Sequence, residues 1–276
     1  MAESLMTVNG IKLYVADTGE KDLPVVLCLH SLFLDSRMFD GLLEYAEGKY
    51  RVVRPDFRGQ GRSDHGSGEM ITMDQDTDDM FALIDQLELT DVNLLAQSMG
   101  GDVAVRLAAR RPDGFRSLVM AGSSARNEPD GQREQFLEWI GKAGEQGFIN
   151  DSLEETMEVM FGPTSRNTTD PRRKAAVELW RERINVTPRS LYPAMKGVIL
   201  RENAVPLLPL ITCPALIFSG VEDTARPPAW AEEVANGIRD SRLVVLEGVG
   251  HSPTLEVPEV VYPMIIDFYD THNTER

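Results

Sequence analysis

The stretch LLAQSMGGDVAV, residues 94–105, decides how the rest of the chain is read. Val92, Asn93, Leu94, Leu95 and Ala96 form a largely apolar run of strand character that stops at Gln97-Ser98-Met99. Gly100 and Gly101 follow, and then Val103, Val105, Leu107 and Ala108 take up helical spacing. A serine that interrupts a buried element, with two glycines behind it, is poor material for ordinary packing. Glycine serves tight turns and close helix–strand approach. Room for a ligand is a third use, and it would make Ser98 an exposed reactive group.

The composition restricts what such a serine could serve. At 276 residues the chain holds one large domain or two small ones. With 42% hydrophobic and 26% charged residues it reads as a soluble globular protein. A net charge of −16 argues against a nucleic-acid partner, because phosphate binding needs clustered Lys and Arg. It also disfavours anionic membrane surfaces, and no apolar run approaches the roughly 18 residues of a spanning helix. The N-terminal MAESLMTVNG has neither basic flank nor apolar core, so it does not read as a signal peptide. Cys28 and Cys213 lie in strand-like runs without metal-ligand spacing. They read as small buried hydrophobes in a reducing compartment, and the expected location is the cytoplasm.

Outward from residue 94 the chain alternates. LMTVNG and KLYVAD flank Asn9-Gly10, a two-residue hairpin signal. VVLCLH (25–30) is a continuous apolar run, as in a strand covered on both faces. A helix is expected around 36–47, a strand at RVVRPD (51–56) and a helix from Asp74 to Leu89. Asp74, Asp76, Asp78 and Asp79 crowd the start of that helix, where carboxylates favour the positive end of its dipole. FRSLVMAG (115–122) is the next strand, and the β-α-β alternation implies a mainly parallel sheet with helices on its faces. From 125 to 205 strands give way to amphipathic stretches such as REQFLEWIGKAGEQG, SLEETMEVMFG and RRKAAVELWRERI. Alternation resumes with ALIFSG (215–220), a helix near 228–238, LVVLEG (243–248) and a helix near 258–270. The economical reading is a sheet domain, 1–124 and 206–276, carrying a helical insertion at 125–205.

A serine is a weak nucleophile unless a base removes its proton. Of four histidines, His30 ends a strand, His65 lies in a polar loop and His272 in the tail. That leaves His251, which follows a strand and a glycine-bracketed turn at the edge where Ser98 would sit. Histidine in turn needs an acid to fix its tautomer. Asp223, just after ALIFSG, suits that role better than its neighbour Glu222, and Asp102 reads as a helix residue. The order Ser98, Asp223, His251 is that of the nucleophile-elbow acyl-transfer proteins. Negative charge on a substrate carbonyl needs donors, for which the N–H groups of Met99 and Leu32 are the candidates.

Taken together, LCLHSLFLDSRMF, RPDFRGQGRSD, AQSMGG, SGVEDTARPP and GVGHS resemble the α/β-hydrolase superfamily over nearly the whole chain. The nearest look is to small esterases and lactonases of the 3-oxoadipate enol-lactonase kind. The resemblance implies an α/β-hydrolase fold, a mostly parallel eight-stranded sheet flanked by helices, with a helical cap inserted after the sixth strand. It also implies Ser98 as nucleophile, Asp223 and His251 as its partners, and Leu32 and Met99 as oxyanion hole. Two positions depart from the pattern: Ala96 stands for the first glycine of G-x-S-x-G, and Ser31 for the glycine after His30. RPDFRGQGRSD reads as a turn packed beneath the site.

The expected chemistry is hydrolysis of a carboxylic ester or lactone of a small apolar molecule through an acyl-enzyme, with no metal or organic cofactor. Ser31, Phe33, Trp139, Met160, Phe161 and Trp180 are candidate pocket residues. A serine at 98 argues against dehalogenases and epoxide hydrolases of this fold, which use a carboxylate there. Carbon–carbon bond hydrolases and perhydrolases share the triad, and a small-molecule receptor of the same fold is a reading from a different class. Oligomeric state is open, with a homodimer among the options.

Overall fold

Asn9 and Gly10 turn the chain in left-handed backbone, with φ of 45° and 79°. They close a two-residue hairpin between β1 (Ala2–Val8) and β2 (Ile11–Asp17). Left-handed central residues match the twist of the flanking strands, and Asn-Gly adopts them at little cost. The computed structural model describes residues 1–66 and 68–273. After the hairpin come β3 (Val25–Leu29), α1 (Leu42–Ala46), β4 (Arg51–Pro55) and α2 (Met73–Gln86). Next are β5 (Val92–Gln97), α3 (Met99–Arg110) and β6 (Phe115–Ala121). Helices α4 (Asp130–Gln146), α5 (Asp151–Met160), α6 (Pro163–Arg166), α7 (Pro171–Asn185) and α8 (Tyr192–Ile199) then separate β6 from β7 (Ala215–Gly220). The chain closes with α9 (Pro228–Gly237), β8 (Ser241–Leu246), α10 (Pro253–Glu256) and α11 (Pro258–Asn273).

The eight strands form one sheet in the order β1-β2-β4-β3-β5-β6-β7-β8. β2 runs antiparallel to β1 and β4, and every pair from β4–β3 onward is parallel. The central strands β3, β4, β5 and β7 are buried along their whole length, which is why β3 reads as an unbroken apolar run, while β4 and β5 carry buried polar residues such as Arg54 and Asn93. α1 packs with α11, and α3 lies on β3, β5 and β6 beside α2. The buried hydroxyl of Tyr269 on α11 donates to the Leu94 carbonyl at 3.0 Å, pinning that helix to the middle of the sheet.

Two of the expected elements differ in kind or bounds. The helix anticipated at 36–47 is a 3-10 turn, Ser36–Phe39, followed by the short α1. Asp35 caps the turn by accepting from Arg37 N–H at 2.9 Å, and the Asp40 carboxylate is drawn off to Arg54 at 2.5 Å. β8 begins and ends two residues before the expected 243–248, because Gly248 already turns at φ 65°.

The aspartates of α2 are mostly paired rather than merely placed on a dipole. Asp74 and Asp78 hold Arg110, while Asp79 holds Arg58 at 2.7 Å and accepts from Asn9 at 2.9 Å. Asp76 is buried with neither oxygen hydrogen-bonded to any described residue. Burial, and then the neighbouring charge of Asp79, push its carboxyl well above the usual range. The folded chain therefore holds this proton to a higher pH than the unfolded chain does, so stability falls as pH rises from the unfolded-state value of about 3.9 toward the raised one. Asp76→Asn removes that cost. Calorimetry is expected to show a higher melting temperature at pH 7, with the gain shrinking as pH falls toward 4; a lower melting temperature at pH 7 would contradict it.

Candidate active site

β5 ends at Gln97, α3 begins at Met99, and Ser98 joins them at φ 52° and ψ −115°. A non-glycine residue in left-handed backbone stores about 1–3 kcal/mol of strain, tolerated where the surroundings fix it. Here the Ser98 N–H donates to the Ala121 carbonyl of β6 at 3.1 Å. The sharp turn drives α3 against the sheet, which explains the two glycines behind the serine. A Cβ at Gly100 would overlap the Leu29 carbonyl of β3, and one at Gly101 would overlap the Ser123 side chain. Ala96 is fully buried, in register between Leu29 and Met120, so a methyl fits that position.

The loops after β7 and β8 bring two more groups to the same edge. His251 Nε2 lies 2.7 Å from Ser98 Oγ, and its Nδ1 lies 2.9 Å from Asp223 Oδ2. The other carboxylate oxygen accepts from the N–H of Ala225 at 3.0 Å and of Arg226 at 2.8 Å. All three side chains are nearly dry: Ser98 is 5% exposed, Asp223 and His251 3% each. With the carboxylate on Nδ1–H, Nε2 is left to accept the serine proton. Glu222 faces away, accepting from the N–H and hydroxyl of Thr164. His65 faces Ser190 and His272 meets Phe268 edge to face, both elsewhere.

His30 shapes the neighbouring loop. Its Nδ1–H donates to the Ser31 carbonyl at 2.8 Å and its Nε2 accepts from Phe57 N–H at 2.9 Å. Burial lowers its pKa, consistent with the neutral ring that this pair of bonds requires. The same Ser31 carbonyl receives Leu34 N–H at 3.3 Å, closing a turn in which Phe33 has φ 68°. Leu32 and Phe33 are the central residues of that turn, whose own N–H groups the turn does not use. On the other side Gly101 and Asp102 N–H both return to the Ser98 carbonyl, so the Met99 N–H at the helix start has no intrahelical acceptor. Leu32 and Met99 thus stand at the ends of the adjacent strands β3 and β5, beside Ser98.

Above Ser98 lies a small cavity of about 40 Å³ between the sheet edge and the helices that follow β6. Of the six sequence candidates, Ser31, Phe33, Trp139 and Met160 line it. Phe161 and Trp180 do not. Phe161 is fully buried where α5 ends, and Trp180 turns toward Arg183, which stacks over its ring at 4.6 Å. Phe136, Val159, Val198 and Ile199 complete the apolar wall, and Glu128 and Arg226 add two charged groups that the sequence did not flag.

Glu256 was also missed. Its buried carboxylate accepts from Gly250 N–H and Ser252 N–H, each at 3.0 Å, on either side of His251. It also accepts from Gly162 N–H at 3.1 Å and from the Ser165 hydroxyl, joining the histidine loop to the segment above. The signal was present as an acid one short turn after GHS, but a lone glutamate is unremarkable in sequence. Glu256→Gln turns one acceptor into a donor facing donors. Denaturant titration is expected to show a loss of about 2–3 kcal/mol, and kcat is expected to fall with it.

A model of the alpha/beta hydrolase fold matches residues 24–258. The chain belongs to the α/β-hydrolase family. It is 27% identical to AB hydrolase superfamily protein YisY of Bacillus subtilis over 97% of this chain and 99% of the relative. It is 25% identical to 3-oxoadipate enol-lactonase 2 of Acinetobacter baylyi over 92% and 91% of the two. Among solved structures, a thermophilic esterase from Thermogutta terrifontis superposes with TM-score 0.87 at 28% identity, covering 99% of this chain and 100% of that one. The enol-lactonase from Burkholderia xenovorans LB400 also gives TM-score 0.87, at 26% identity over 97% and 100% of the chains. As in the family, the site stands at the carboxyl ends of the parallel strands. No helix among the described residues is long and apolar enough to cross a membrane.

Proposed function

We propose that this α/β-hydrolase cleaves carboxylic esters or lactones of small molecules through an acyl-enzyme on Ser98. The observation that carries the reading is the unbroken relay from Ser98 Oγ through His251 to Asp223, at 2.7 and 2.9 Å. His251 takes the Ser98 proton as Oγ attacks the carbonyl carbon. The N–H groups of Leu32 and Met99 hold the oxyanion. His251 then gives that proton to the departing alkoxide as the acyl C–O bond breaks. Water, deprotonated by the same ring, attacks the acyl-enzyme and releases the acid.

In this reading the helices of 125–205 are a cap over a core made of 1–124 and 206–276. A cavity of about 40 Å³ has room for a short acyl chain of a few carbon atoms. The buried free thiol of Cys28 fits a reducing cytoplasm. The test is an acid quench during turnover of p-nitrophenyl acetate, followed by peptide mass spectrometry. An acetyl group on the peptide holding Ser98 is expected, and release of p-nitrophenol with no acyl group on that serine would overturn the mechanism. Product analysis across esters, lactones and ring-cleavage diketones sorts the substrate class.

A further inference from the structure

Beside the triad lies a cluster of four buried charges that the mechanism above does not use, two of which, Glu128 and Arg226, reach the cavity wall. Arg201 Nη1 donates to Glu128 Oε1 at 2.8 Å, and Arg226 Nη1 donates to the same oxygen at 2.5 Å. Arg201 Nε also stands 3.1 Å from Asp102 Oδ1, an ion pair without hydrogen-bond alignment, and Arg226 Nη2 is 3.9 Å from Asp102 Oδ2. None of the four side chains is more than 5% exposed. Burial raises the Glu128 carboxyl, but Arg226 and Arg201 outweigh it and hold it below the ordinary range. Taking two acids and two guanidinium groups out of water is expensive, and apolar residues of similar volume often do as well for stability. A cluster of this kind calls for a reason other than stability.

Its location supplies one. Asp102 sits one helical turn after Ser98 on α3. Arg226 follows Asp223, and its own N–H is the 2.8 Å donor to the Asp223 carboxylate. Glu128 lies on the chain entering the cap and Arg201 on the chain leaving it, two crossings also joined by Ala204 N–H to the Ala125 carbonyl at 2.7 Å. The cluster therefore touches the segment of the serine, the segment of the acid, and both ends of the cap.

We infer that Glu128 is a positioning residue: through Arg226 it seats the loop that aims Asp223 at His251, and through Arg201 it ties that alignment to the cap. The inference rests on the acyl-enzyme reading, yet it is tested by a reaction that needs no natural substrate. Diethyl p-nitrophenyl phosphate reports serine alignment directly, since Ser98 Oγ displaces p-nitrophenolate at phosphorus. Single-turnover phosphorylation is expected to slow about ten- to a hundredfold in Glu128→Gln and in Arg226→Met, the scale of a small misplacement. The double variant is expected to be no slower than either single one, because both substitutions release one unit. On a short ester kcat falls while KM stays within about twofold of wild type. The downfield proton resonance of the His251–Asp223 hydrogen bond is expected to broaden or shift in both single variants. Glu128→Asp keeps the charge balance and covers the case in which the neutral variants fail to fold; it too is expected to react slowly. Wild-type phosphorylation rates with an unmoved resonance in folded Glu128→Gln or Glu128→Asp would overturn the inference. So would losses that multiply in the double variant. A wild-type protein that does not react at all counts against the acyl-enzyme reading instead, and the resonance still decides the role of Glu128.

Discussion

Ser98→Ala is expected to lower kcat on p-nitrophenyl acetate by about 10³- to 10⁶-fold while leaving the protein folded. The substitution removes one oxygen, the atom 2.7 Å from His251 Nε2, and nothing else in the site. Alanine is no worse than serine at φ 52°, so the elbow keeps its shape. The lost hydrogen bond is worth about 1 kcal/mol, small beside the stability of a domain. What survives is the oxyanion hole and the histidine, which can still assist direct attack by water, and this sets the floor. Steady-state rates with a melting curve on the same preparation check both halves. A variant that turns over within tenfold of wild type would place the nucleophile elsewhere.

How much of this could be read in the sequence differs between fold and site for a physical reason. Strands covered on both faces are largely apolar, so β3 and β7 were visible as runs such as VVLCLH and ALIFSG, and with β4 they lie within a residue of their expected bounds. Asn9-Gly10 was legible because only left-handed residues close that hairpin. The three relay residues were legible for a different reason: each follows a strand of the parallel sheet, so topology alone brings them to one edge. The helices of 125–205 carry no such constraint. Every apolar face there is equally compatible with helix contact and with pocket wall, and nothing local marks Met160 for the cavity and the adjacent Phe161 for the interior. The buried charges escaped for a similar reason. Asp102, Glu128, Arg201 and Arg226 are spread over more than a hundred residues, and each alone looks like surface. α8 and α10 were missed because short helices bearing proline or glycine have little periodicity to detect.

Asp223→Asn is expected to be almost as damaging as loss of the serine, lowering kcat by about 10⁴-fold, and the structure indicates why an isosteric change should cost so much. One carboxylate oxygen is fixed by two backbone donors, Ala225 N–H at 3.0 Å and Arg226 N–H at 2.8 Å. In the variant that position keeps the amide oxygen, because the amide –NH₂ cannot accept. The –NH₂ then falls where Oδ2 was, 2.9 Å from His251 Nδ1, and donates to it. An imidazole that accepts at Nδ1 must carry its proton on Nε2, so it presents a donor to Ser98 and cannot take the serine proton. The imidazolium formed during attack also loses the charge that stabilised it. Asp223→Ala leaves space in place of a donor, so either tautomer remains open to the ring. The ordering is therefore specific: the asparagine variant is expected to be no faster than the alanine variant, although it preserves more atoms. Nitrogen-15 NMR of the histidine ring distinguishes the tautomers, with the Nε2–H form expected in Asp223→Asn alone. An asparagine variant that keeps the Nδ1–H form, or turns over faster than Asp223→Ala, would mean that the acid acts on His251 through charge and not through the placement of its proton.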